Sequence, residues 1–273
     1  SDLGRPGPVV VDIPKDVQNA VINYYPGSDA PMEWKTRRKW YEEADNNPEN
    51  IEKALEFIGS CLRPVIYAGG GVNIAGSHKE LLKFAEKIKA PVCVSLMGMG
   101  AFPGEHPYFL GMVGMHGTRY ANYAVSGSDC LIAVGARFSD RVVSKVEKFA
   151  PQAKIIHIDI DPAEISKNVT THIPICGDVK EILTELIDRA AEREENDWNE
   201  QIREWKEKYP LRYRGKGPLS PQYVIEKLYE LTEGKAVITT EVGQNQMWAA
   251  QFYKYSEPRT FITSGGLGAM GFG

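Results

Sequence analysis

Apolar positions along this chain fall into short, almost unbroken runs separated by amphipathic stretches. The runs Pro64–Ala68, Pro91–Ser95, Cys130–Val134 and Lys154–Ile158 are rich in β-branched residues and too short for helices, which predicts buried strands. Between and after them, apolar residues recur at helical spacing near Pro48–Ser60, Ser77–Lys89, Gly117–Val125 and Val179–Arg193. Helices alternating with strands that are apolar on both faces predict a doubly wound α/β domain, a parallel sheet covered on each side. Upstream, the run Pro8–Ile13 also reads as a buried strand, the last of something preceding it, and the aperiodic stretch Gln18–Asn47 reads as a linker. Downstream, the charged stretch Glu192–Lys208 carries Trp198, Ile202 and Trp205 on one stripe, as a surface helix would.

A Pro/Gly/Arg-rich break at Tyr209–Pro218 precedes Ser220-Pro221, where proline suits the first helical position. Helix Pro221–Leu231, strand Ala236–Thr240, helix Gln244–Phe252 and strand Thr260–Thr263 follow, so a further α/β unit begins there. The expected organisation is 1–47, 48–195, 196–218 and 219–273, with partial units at both ends of the chain.

Composition narrows the function more than the fold. With 42% hydrophobic and 25% charged residues among 273, a sizeable core can form, and a net charge of −4 offers no field for nucleic acid or an anionic membrane. No apolar run approaches a membrane span and the first residues show no signal-peptide pattern, so a cytoplasmic protein with small-molecule partners is expected. Cys61, Cys93, Cys130 and Cys176 are widely spaced without a C-x-x-C pair, which predicts packing thiols. The five histidines show no metal-ligand spacing, and no metal ligand is assigned.

In open parallel sheets ligands lie beyond the carboxyl ends of the strands. There the sequence places Gly69, Gly70 and Gly71, either a side-chain-free phosphate turn or a plain tight turn. Ser95, Leu96 and Met97 follow the next strand, suiting an aromatic ring or simple core packing. Gly135, Arg137 and Arg141 follow another; guanidinium forks fit phosphate or carboxylate, a structural ion pair being the alternative. Asp159, Ile160 and Asp161 offer acids for a ribose or adenine amino group, and Gly177-Asp178 repeats that chemistry unless Asp178 is a helix N-cap. Gly114, Met115, His116 and Gly117 add a glycine-flanked histidine, a ligand contact or a turn residue. Together these predict a dinucleotide with adenine and pyrophosphate. The lack of a strict G-x-G-x-x-G speaks against NAD and for FAD in an extended pose. Finally, Thr263–Gly273 holds five glycines in eleven residues, a cofactor cradle whose remainder should lie beyond Gly273.

The segments GRPGPVVVDIPKDV (4–17), VGMHGTRYANYAV (113–125), VGARFSDRV (134–142), HIDID (157–161), VGQNQMWAAQ (242–251) and TSGGLGAMGFG (263–273) resemble acetolactate synthase, the catalytic subunit of acetohydroxyacid synthase. The resemblance implies three α/β domains: pyrimidine-binding, central FAD-binding (DHS-like) and pyrophosphate-binding, with this chain holding the tail of the first, all of the second and the opening of the third. It implies decarboxylation of pyruvate on thiamine diphosphate and transfer of the two-carbon unit to a second 2-ketoacid, pyruvate or 2-ketobutyrate, which begins branched-chain amino acid synthesis. Carried over by motif, Gly69–Gly71, Ser95–Met97, Gly114–Gly117, Gly135, Arg137, Asp159, Ile160, Gly177 and Asp178 hold FAD. Val242, Gly243, Gln244, Gly268 and Met270 contact thiamine diphosphate, Asn245 stands beside them where the family often has histidine, and Arg141 receives a substrate carboxylate in the channel. Met247 and Trp248 read as helix packing, Ser139 replaces the family's usual acid, and Lys35 is the candidate channel lysine.

The family's protonating glutamate and Mg²⁺ ligands match no residue of this chain, so the chain alone is expected to be inactive but to keep part of an FAD site. A homodimer or homotetramer with a small regulatory subunit is implied. The rivals are another FAD-carrying thiamine enzyme, such as pyruvate oxidase or glyoxylate carboligase, and a non-catalytic flavin-binding module.

Overall fold

The computed structural model describes residues 8, 10–21, 48–213 and 220–273. Six strands form one sheet: β1 Pro64–Ala68, β2 Val92–Val94, β3 Phe109–Met112, β4 Cys130–Val134, β5 Lys154–Asp159 and β6 Ile173–Cys176. Every pairing is parallel and the order is β3-β2-β1-β4-β5-β6, so the chain winds outward one way from β1 and then the other way from β4. That order has a topological switch point between β1 and β4, where the loops after two adjacent strands diverge and leave a crevice.

The unbroken apolar runs of β1 and β4 follow from burial on both faces. Ile66, Ala68, Ile132 and Val134 face one core, with Ile51 and Ile58 of the helix Pro48–Ser60, Leu81 and Phe84 of His78–Ile88, and Leu183 and Leu186 of Val179–Arg189. Their neighbours Val65, Tyr67, Leu131 and Ala133 face the other, with Ala121 and Val125 of the helix Arg119–Gly127 and Trp198 and Ile202 of Asp197–Lys208.

A strap formed by residues 193–205 closes the entry to β1. Arg193 donates to the carbonyls of Ile58 and Cys61, Asn196 Nδ2 to Leu62 O at 2.9 Å, and the buried Trp198 indole to Pro64 O at 3.2 Å.

The last part of the chain adds a two-stranded parallel sheet, β7 Ile238–Thr240 and β8 Phe261–Thr263, with helices Pro221–Thr232 and Gln244–Phe252. It shares a core with the large sheet: Ala249, Ala250, Tyr253, Tyr255 and Phe261 belong to the same buried cluster as Phe102. The Gly104 N–H donates to Tyr255 O at 2.8 Å. Among the described residues no helix is long and apolar enough to cross a membrane.

Several expectations change. Residues 10–14 form no strand, and Val10 and Val11 are 89% and 76% exposed; among the described residues no strand lies beside them to supply a ladder. The glycine triplet is not a plain turn, since the helix Gly70–Ala75 begins within it. The helix after β6 stops at Arg189, four residues early, which frees Arg193 for the strap. Strands β3 and β6 went unread. Both are edge strands, one interrupted by Gly111 at φ +75° and the other by Pro174, whose missing N–H is tolerated at a sheet edge. Lys35 and most of the expected linker lie outside the described residues.

Candidate functional site

The crevice is built by backbone meeting backbone. Gly69 N–H donates to Val134 O at 2.9 Å and Gly71 N–H to Gly135 O at 3.0 Å, while Gly135 N–H donates to Ile158 O at 2.8 Å. A Cβ on Gly71 would sit 2.6 Å from Gly135 Cα, and one on Gly135, already at φ +56°, would sit 2.7 Å from Gly71 Cα. Gly69 is closed off in the same way by the Gly135 carbonyl. These glycines let the loops after β1 and β4 touch, which shapes the floor and leaves no side chain above it. Gly70, next to them, starts the short helix, where a Cβ would come within 3.1 Å of Met97 Cβ.

Two asparagines, unread in the sequence, hold the neighbouring loops. Asn73 Nδ2 donates to Met97 O at 3.1 Å and Met99 O at 3.0 Å, fixing the turn that contains Ser95, Leu96 and Met97. Asn122 accepts from Gly114 N–H at 2.9 Å and donates back to Gly114 O at 3.1 Å, clamping the Gly114–Gly117 loop. On the loop's other side Met115 N–H donates to Arg141 O at 3.0 Å. Gly114, at φ +104°, lies so close that a Cβ would be 2.5 Å from that same oxygen. Thr118 caps the following helix, its hydroxyl accepting from Ala121 N–H at 3.1 Å. The loops present Met97 and Met115 outward, 46% and 62% exposed, together with the exposed His116.

Beneath this rim lie aromatic and titratable groups. The buried Tyr67 phenol has its pKa pushed up, by desolvation first. Phe138 packs on Tyr67 with ring centres 5.6 Å apart and on His157 at 5.0 Å. His157 Nε2 donates to Ala136 O at 2.8 Å, and its buried Nδ1 has no hydrogen-bond partner. Burial lowers the pKa of His157, against the pull of that carbonyl and of Glu164.

Arg137 and Arg141 both extend into solvent. Arg141 has a side chain 74% exposed, on the short helix Asp140–Val143, with Asp140 at 4.0 Å. The acids carry local structural duties. Asp159 Oδ1 accepts from Asp161 N–H at 2.9 Å, and Gly177 N–H donates to Asp159 O at 3.1 Å. Asp178 caps the last helix of the sheet, accepting from Lys180 and Glu181 N–H at 2.8 and 3.3 Å. Ile160 is half-buried beside them. Gly69–Gly71, Ser95–Met97, Gly114–Gly117, Gly135 and Arg137 thus gather around the switch point, while Asp159, Ile160, Gly177 and Asp178 line the ends of β5 and β6 further along the same edge.

The glycine-rich segment meets this edge. A Cβ on Gly265 would fall 2.7 Å from Met97 Sδ and 3.3 Å from Leu96 Cδ2, and Gln251 Nε2 donates to His116 O at 2.8 Å. Gly243, at φ +143°, stands at the N-cap of Gln244–Phe252, so no N-cap side chain serves the first N–H groups of this nine-residue helix, and Val242 and Gln244 beside it are exposed. Asn245 Oδ1 accepts from Gln246 N–H, one of those donors, at 2.8 Å. Glu241 receives Gly271 and Gly273 N–H, each at 3.1 Å, and Ala269 N–H bonds Ser264 Oγ at 2.8 Å. Met270 is carried outward, 97% exposed, and Gly268 takes φ +64°. Met247 is partly buried against the main core, as packing requires. Among the described residues no three His, Cys, Asp or Glu side chains are grouped to hold a metal ion.

An uncapped helix N-terminus beside a glycine segment suits a diphosphate. A floor of apposed glycine loops with outward methionines and arginines suits a planar, anionic ligand. Comparison with known proteins agrees in kind. Residues 51–186 match the family model described as thiamine pyrophosphate enzyme, central domain, and 241–273 match thiamine pyrophosphate enzyme, C-terminal TPP binding domain. The chain is 50% identical over 281 aligned residues to the probable acetolactate synthase large subunit of Methanocaldococcus jannaschii, covering 99% of this chain and 47% of that protein. It is 47% identical over 279 residues to acetolactate synthase 1, chloroplastic, of Zea mays, covering 99% and 43%. Against the probable large subunit of Methanococcus aeolicus it is 45% identical over 292 residues, covering 100% and 48%. The chain therefore spans a little under half the length of these relatives.

Proposed function

Because this chain belongs to the thiamine pyrophosphate enzyme family, we propose that it is part of an acetolactate synthase large subunit. Such an enzyme decarboxylates pyruvate and transfers the two-carbon unit to pyruvate or 2-ketobutyrate at the head of valine, leucine and isoleucine synthesis. The observation that carries the reading is the contact of Gly265 with Met97, which puts the glycine-rich segment and the switch-point loops on one rim. Thiamine diphosphate, when bound, supplies the electron sink for decarboxylation.

In this reading the chain's own residues bind and orient. Gly243 and the first turn of Gln244–Phe252 receive the diphosphate, Val242, Gln244 and Asn245 flank it, and Gly268 and Met270 give it a close backbone and an apolar thioether. Arg141 receives the 2-ketoacid carboxylate, its extended guanidinium suiting a planar anion. The Gly69–Gly71, Ser95–Met97, Gly114–Gly117 and Gly135–Arg137 loops hold FAD, with Asp159, Ile160, Gly177 and Asp178 at its far end. Residues 48–195 form the FAD-binding domain and 219–273 belong to the pyrophosphate-binding domain, joined by 196–218; 1–47 go with a pyrimidine-binding domain. Mg²⁺ accompanies the diphosphate, and no described residue is assigned to it. Relatives named as large subunits support a small regulatory partner, and a homodimer or homotetramer in the cytoplasm completes the reading.

The test is titration of the purified chain with FAD, followed by flavin fluorescence, and separately with thiamine diphosphate plus Mg²⁺ by calorimetry. Saturable FAD binding with weak thiamine diphosphate binding is expected. Tight NAD binding, or none by flavin, overturns the assignment.

A further inference from the structure

The Gly114–Gly117 loop follows the end of β3 and is held from three sides. Asn122, on the helix Arg119–Gly127, bonds the N–H and the carbonyl of Gly114 at 2.9 and 3.1 Å. Arg141 O, on the short helix Asp140–Val143, accepts from Met115 N–H at 3.0 Å. The third hold comes from the last part of the chain, where Gln251 Nε2 donates to His116 O at 2.8 Å across 135 positions of sequence. Within the loop, Gly117 N–H donates to Gly114 O at 3.0 Å, and a Cβ on Gly117 would fall 2.4 Å from Met112 O, so the turn has little room to adopt another path.

Gln251 stands on an anchored helix. The two residues before it, Ala249 and Ala250, are buried in the cluster that also contains Met112, the last residue of β3, and Phe102. Just beyond the helix, Tyr255 O accepts from Gly104 N–H at 2.8 Å and Lys254 Nζ reaches Glu105 at 3.2 Å. At Gly100, φ +81°, a Cβ would come 2.3 Å from Glu257 O, so the two backbones meet directly there as well. A donor carried on a base already fixed gives up less freedom in bonding than one on a loose segment.

We propose that Gln251 is a positioning residue for the ligand of the crevice: by holding the His116 carbonyl it sets where Met115 and His116 stand on the rim. Glutamine suits the task because its amide supplies a neutral N–H donor at the end of a long side chain, whereas a carboxylate of the same length would turn acceptor against acceptor. Gln251 itself touches the loop and not the reacting groups, so its effect passes through the backbone of His116. The functional half of the inference rests on the reading in which this loop holds FAD; the structural half rests on the bond alone.

Two measurements on the purified full chain separate those halves. Without ligand, amide hydrogen exchange reads the loop. In Gln251→Met the amides of Met115 and Gly117 should exchange about fivefold faster, the effect of one ordinary hydrogen bond. In Gln251→Glu the increase should be larger, and in Gln251→Lys, which restores a donor, protection should return. Exchange in β1 and β4 should stay as in the wild type, which tells loss of this bond from general loosening. With ligand, flavin fluorescence titration should show the Kd for FAD raised about fivefold in Gln251→Met while the melting temperature is unchanged. Unaltered exchange at Met115 and Gly117 in Gln251→Met overturns the positioning role. A wild type that binds FAD no more tightly than Gln251→Met overturns its bearing on the ligand. A wild type that binds no FAD overturns the reading of the site and that bearing with it, while the exchange result still decides whether Gln251 holds the loop.

Discussion

At Gly69, Gly71 and Gly135 the space a side chain would fill is taken by neighbouring backbone, whereas at Gly266 and Gly271 a Cβ would meet nothing within 4 Å. Both regions are equally glycine-rich to the eye, yet the first is the sealed floor of a crevice, while the second is closed at Gly265 and Gly273, open at Gly266 and Gly271, and held through Glu241 and Ser264. Glycine at the floor permits two loops to close on each other; in the segment it leaves backbone and Met270 accessible to whatever binds. The contrast shows that glycine density reports a close approach without saying what approaches.

Substitution should separate the two regions in order of effect. Gly135→Ala combines a left-handed φ with a clash against Gly71, and should cost about 3 kcal/mol of unfolding free energy by denaturant titration. A loss within ~0.5 kcal/mol would mean the floor is looser than described. Asn122→Ala removes both bonds to Gly114, and about 1–2 kcal/mol is expected to go with them. Protease cutting near Met115 should rise in parallel, and unchanged cleavage would show that Arg141 O alone holds that loop.

A third probe is acid. His157 binds its proton more weakly folded than unfolded, so its contribution is present above the ordinary value of 6.5 and is lost as pH falls below it. The melting temperature of the chain should drop across that window, and His157→Phe should flatten the slope there if the substitution is accommodated. An equal slope in both proteins would place the acid sensitivity elsewhere. Least of all, Gly266→Ala should change stability by under ~0.5 kcal/mol, because its surroundings are open and its φ is ordinary. A large loss there would erase the contrast.

What the sequence disclosed follows from what is local. Continuous apolar runs announced β1, β4 and β5 because both faces are buried, and the carboxyl-end rule then pointed to the loops on the rim. FLGM and IPIC hid β3 and β6, since Gly111 and Pro174 erase the strand signal that only a sheet edge tolerates. In the run PVVVDI the described residues 10–13 form no strand, since β propensity needs a neighbour to pair and among the described residues none lies there. Within the site, Asn73, Asn122, Tyr67 and His157 carried no legible pattern. Asn73 meets its partners 24 and 26 residues away, and His157 meets Ala136 across 21, so only the folded chain shows them as braces.

The strap over the entry to β1 ties the timing of synthesis to the timing of folding. Its contacts join residues 132 to 134 positions apart, through Arg193, Asn196 and Trp198. At ~5–20 residues added per second, the partners of Cys61, Leu62 and Pro64 leave the ribosome about 7–27 s after those residues do. A nascent chain that already holds all six strands still lacks the clasp on its central one, and Cys61 waits out that interval without Arg193 beside it.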